Sequence, residues 1–131
     1  MSGETDLSVL LANMQPVLRE DRYVFCSVGQ DRYERLGFKP LGTFVEEEGT
    51  SLIITEEQAR LAGFSYESSW ACITLNVHSA LSAVGFLAML TGRLAQAGMS
   101  VNAVSAYYHD HLFVPWDKRN EAMEAINSET A

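Results

Sequence analysis

Cysteine is scarce in this chain: 131 residues hold two, Cys26 and Cys72, with no C-x-x-C pair. That leaves no basis for a disulfide scaffold, a thiolate metal site or a redox motif. Both lie in strand-like runs, YVFCSV and ACITLNV, and read as buried free thiols in a reducing cytosol. Positive charge is scarce as well. Nine Lys and Arg face 17 Asp and Glu, for a net charge of −8, and the basic residues form no stripe. A nucleic acid or an anionic membrane surface needs a positive footprint, so neither is an expected partner. Long apolar runs are missing too. The most apolar, LSAVGFLAML at 81–90, is too short to span a bilayer, and Arg93 follows soon after. The N-terminus carries Glu4 and Asp6 where a secretory signal would be basic, so the expected location is cytoplasmic. Three prolines and nine glycines are too few for a linker or a low-complexity segment.

What is present is an ordinary globular composition, 47% hydrophobic and 20% charged. Leu7, Leu10, Leu11 and Met14 repeat at helical spacing, and Pro16 ends that helix. Residues 23–28 are aromatic and β-branched and predict a strand. Residues 29–40 hold at most a helical turn. Strands are expected at 41–45 and 51–54, around the turn EEEG. Thr55 and Gln58 then have the spacing of a capping box, opening a helix that runs to about Leu61 and stops at Gly63. In the second half, 71–77 predicts a buried strand and 81–96 a helix stopped by Gly98. Strands are expected at 101–108 and 111–114, with Pro115 breaking the ladder. Asp117 is placed to cap a last helix whose apolar face is Ala122, Met123 and Ile126.

Each half therefore reads as a strand, a spacer, a hairpin and a helix. The expected class is α+β, with two ferredoxin-like units, residues 1–66 and 67–131, packed as one compact chain.

The stretch GFLAMLTGRLAQAGMSVNAVSA, 85–106, resembles the ACT domain, a ferredoxin-like regulatory module. Gly85 falls on that family's loop glycine, Ala97-Gly98 on its helix terminator and Val101-Asn102 on its next strand start. The blocks LLANMQPVL, YVFCSV, EEEGTSLII, ITLNVHSALSAVG and YYHDHLFVP together resemble a bacterial family of small tandem ACT-domain proteins. The loop before Gly85 is longer than the short turn of common ACT domains. The resemblance implies a non-catalytic sensor that binds a small, amino-acid-like molecule, and association between units as a homodimer.

Three arrangements carry candidate chemistry. His109-Asp110-His111 fits the tip of a hairpin, because Asp suits turns. A metal held by His109, His111 and His78 or Asp110 lacks further ligands, so neither metal nor cofactor is expected. The loop His78, Ser79, Ala80, Leu81, Val84 and Gly85 lies between a strand and a helix, where unpaired amides meet anions. It is the candidate ligand site, with Gly85 clearing room for close approach. Its plainer reading is a helix capped by Ser79 with His78 packed or solvated. Ser79 or Ser82 with His109 and Asp110 forms a nominal triad, but no G-x-S-x-G turn and no phosphate loop is present, so no enzyme is expected. A ligand-free scaffold dimer, using Tyr107, Tyr108, Phe113 and Trp116, is the alternative.

Overall fold

The structure is a computed structural model that describes residues 3, 5–78, 80 and 83–128. Two compact units emerge. One joins the described residues of 1–20 to those of 71–131, and the other is Asp21–Trp70. The packing units thus differ from a division of the chain at residues 66 and 67, because the opening helix packs with the second half.

The unit Asp21–Trp70 holds most of β1 (Pro16–Val28), then α2 (Gln30–Glu34), β2 (Gly42–Val45), β3 (Thr50–Thr55) and α3 (Glu56–Ala62). Its strands lie in the order β2-β3-β1. Both pairings are antiparallel, with Cys26 opposite Leu52 and Thr43 opposite Leu52. Alternation sends Val24, Cys26, Val28, Leu52 and Ile54 into one core with Ala59 and Phe64. The capping box forms as the sequence predicts. Gln58 N donates to Thr55 Oγ1 at 3.1 Å, and Thr55 N donates to Gln58 Oε1 at 3.0 Å. Gly63 ends α3 in the left-handed conformation. The weak turn at 29–40 contains the one-turn helix α2. β1 runs further toward the N-terminus than expected: Pro16, read as a helix stop, is its first residue.

The other unit contains α1 (Leu7–Ala12), the start of β1, β4 (Trp70–Leu75), α4 (Phe86–Gln96), β5 (Asn102–Ser105), β6 (Asp110–Pro115) and α5 (Arg119–Ile126). Its strands lie in the order β1-β4-β6-β5. Ala71, Ile73 and Leu75 of β4 and Leu112 and Val114 of β6 point into one core. Leu10, Leu90, Leu94, Ala122 and Ile126 close over them from the helices. Each fully buried Leu or Ile there contributes about 1.5–3 kcal/mol. The same β-α-β-β-α sequence thus occurs twice, as the split β-α-β reading requires.

Three boundaries differ from the sequence expectation. The helix expected over 81–96 starts at Phe86, because Gly85 takes φ 87° and forms its N-cap. The hairpin turn lies at 106–109, not at His109-Asp110. Ser105 pairs with Asp110, and Ala106 N donates to His109 O at 3.0 Å. Asp110 is therefore a buried strand residue. Asp117 does not cap the last helix: a 3-10 turn at Trp116–Lys118 delays α5, whose N-cap position falls on Lys118. Both cysteines are buried free thiols. Burial pushes each thiol above its ordinary pKa, although Arg19 and Thr74 pull Cys72 back in part. No helix among the described residues is long and apolar enough to cross a membrane.

Candidate functional site

The loop between β4 and α4 is tethered at its start. Asn76 N donates to Gln15 O at 3.4 Å and Val77 N to Met14 O at 3.3 Å. Further along, Ala83 N donates to Ala80 O at 2.9 Å. Gly85 then reverses the chain into α4, where Met89 N donates to its carbonyl at 2.9 Å. A Cβ at Gly85 would meet nothing nearer than Leu7 Cδ2 at 3.9 Å. The left-handed φ, rather than a crowded contact, is what calls for glycine here.

Beside Gly85 lies a cleft of about 110 Å³ lined by Ala80, Ala83, Gly85, Phe86, Ser105 and Asp110. Leu87 and Ala88 also reach it, so the cleft faces the first turn of α4. The opening amides of a helix lack intrahelical acceptors, and Gly85 offers no side chain to cap them. Asp110, a residue only 5% exposed and already engaged within the protein, also lines it. The first residues of α4 and an acidic side chain thus border one small volume.

Of the residues expected at this site, Ala80 and Gly85 line the cleft. Val84 is adjacent and 83% exposed. His78 turns to the hairpin tip instead, its ring 5.3 Å from that of Tyr108 and 6.3 Å from that of Tyr107. Ser79 and Leu81 lie outside the described residues, as does Ser82. The sequence does not single out Ser105, and it offers Asp110 as a turn, metal or triad residue without placing it beside this loop. Reading Asp110 as a turn residue hid that it occupies the first rung of β6, opposite Ser105.

His109, Asp110 and His111 do not converge. His111 instead meets Thr74, with Nδ1 and Oγ1 3.0 Å apart, while Arg19 Nε donates to the same hydroxyl at 3.0 Å. Among the described residues no group of three His, Cys, Asp or Glu side chains is placed to hold a metal.

Comparison with known families gives two matches, each described as an ACT domain, over residues 2–71 and 65–128. Among solved structures, a Vibrio cholerae protein of unknown function, described as a possible transport protein, is 40% identical. It has a TM-score of 0.80 with 92% of each chain covered. An Agrobacterium tumefaciens protein is 13% identical at a TM-score of 0.68, covering 85% of this chain and 84% of that one. The ligand-free regulatory subunit of aspartate kinase from Thermus thermophilus is 12% identical at a TM-score of 0.66, covering 88% of this chain and 96% of that one. At those last two identities only the fold is shared. A comparison with curated proteins gives no match.

Proposed function

The chain belongs to the ACT domain family, and from that premise we propose that it is a non-catalytic regulatory sensor for a small amino acid, held in the cleft beside Gly85. The observation that carries this reading is a small cleft bordered both by the first residues of α4 and by Asp110. The amides suit a ligand carboxylate, which the helix dipole stabilises by about 0.3–1 kcal/mol. Asp110, which already has a partner within the protein, adds a nearby negative charge for the ligand's ammonium. A volume of about 110 Å³ is well below the ~300–1,000 Å³ of sites for drug-sized ligands, which favours an amino acid with a short side chain.

The contacting loop in this proposal is Ser79, Ala80, Leu81, Val84 and Gly85, with Asp110 added and His78 set aside against the hairpin tip. The chain is a tandem, residues 1–66 and 67–131, whose opening helix has joined the second core. The protein is cytoplasmic and works as a homodimer. Val84, Tyr107 and Tyr108 leave apolar surface exposed around the cleft, which a second copy would cover. Hydrolysis is a poorer reading, because among the described residues that line the cleft Ser105 and Asp110 are joined by no histidine.

Native mass spectrometry of freshly purified protein tests ligand and assembly together. The expected spectrum is a dimer carrying an amino-acid mass that is lost from the Asp110→Asn variant. A dimer that stays bare when the proteinogenic amino acids are added would favour the scaffold reading, and a monomer would remove the dimer.

A further inference from the structure

The unit Asp21–Trp70 contains a second, larger cleft, of about 570 Å³, between α2 and α3. We propose that it is a separate binding site for an amphipathic organic anion: a carboxylate on an apolar body. Its walls are apolar, formed by Leu36, Phe38, Leu61 and Phe64, and its polar groups are chiefly the guanidinium groups of Arg32 and Arg35.

Arg32 is already positioned. Its guanidinium lies 4.3 Å from the centre of the Phe64 ring, and Nη2 donates to Ala62 O at 3.3 Å. Such stacking and bonding holds a planar fork in place while leaving other N–H groups to offer. Arg35 is tethered through Nε to Asp31 O at 3.4 Å, so its terminal nitrogens remain available. Among the described residues neither guanidinium is ion-paired, and no carboxylate lines the cleft. In a chain of net charge −8, two cations grouped around an apolar hollow oppose the general charge. That combination selects a ligand by sign as well as by hydrophobicity. The volume lies inside the range of about 300–1,000 Å³ usual for drug-sized ligands. Leu61, 83% exposed, marks the open side, where the apolar body would cover it.

Decanoate below its micelle concentration is the probe, with decylammonium as the control of opposite charge. Titration of isotope-labelled protein, followed by amide NMR, should give saturable shifts centred on Leu36, Gly37, Leu61 and Ala62, with decanoate bound more tightly than decylammonium. Arg35→Glu should weaken decanoate about tenfold or more, the usual effect of losing a charged hydrogen bond. Leu61→Glu changes an exposed position, so the protein should keep its fold and lose preference for the anion. Equal binding of the two probes, shifts centred elsewhere, or undiminished decanoate affinity in folded Arg35→Glu would each overturn the proposal.

Discussion

His111 shows how one side chain's surroundings set a property of the protein. Arg19 Nε donates to the Thr74 hydroxyl oxygen, and His111 Nδ1 lies 3.0 Å from the same oxygen. Burial first, then Arg19 and His109, hold its pKa below the ordinary 6.5, against the opposing pull of Asp110. The unfolded chain therefore takes up this proton first as pH falls. The contribution to stability is complete above the ordinary value and is lost as pH drops through the lower folded one. The melting temperature of the parent should decline as pH falls below the ordinary histidine value of 6.5. His111→Gln should decline less over that interval; equal slopes would mean that other groups control it. Asp6 is also held low, chiefly by its bond from Ser8, but its window lies below the ordinary 3.8. Gly85 offers a second residue-scale test. Its φ of 87° would force any L side chain into the left-handed region, at about 1–2 kcal/mol. Gly85→Ala should show that loss in urea unfolding even without ligand. A neutral change would contradict the conformational account.

The elements were legible wherever a local chemical signal sets a boundary. Thr55 and Gln58 announce α3 through groups that bond each other, and Gly63 and Gly98 both adopt the positive φ expected of helix stops. Thr55→Ala should accordingly cost about 1 kcal/mol in chemical denaturation. An unchanged midpoint would show that the box contributes little. Boundaries set by tertiary pairing were harder to read. The segment LREDRY looks too polar for a strand, yet β1 runs through it because its neighbours supply the ladder. Tyr107 and Tyr108 have strand-like side chains but form the exposed turn, because Ser105 pairs with Asp110. That shift moved Asp110 from a presumed tip to the wall of the cleft. The candidate loop was legible from Gly85, whereas its acidic partner depended on a register that local preference does not reveal.

At the scale of the whole molecule, both halves repeat one β-α-β-β-α order, yet they carry different cavities. The cleft beside Gly85 is small and bordered by the start of α4 and Asp110, while the one between α2 and α3 is larger and lined by apolar side chains and two arginines. Repetition of a fold thus leaves the chemistry of each unit to its own side chains. The central claim is that the Gly85 cleft recognises both ends of a small amino acid. Calorimetric titration with alanine and serine, beside their N-acetyl and carboxamide forms, tests it most directly. At roughly a hundred times its dissociation constant the recognised amino acid should add about 2.7 kcal/mol of stability. Blocking either end should remove the binding heat, and Asp110→Asn should remove most of it. Binding that survives loss of the ammonium, or that is unchanged in folded Asp110→Asn, would contradict the account.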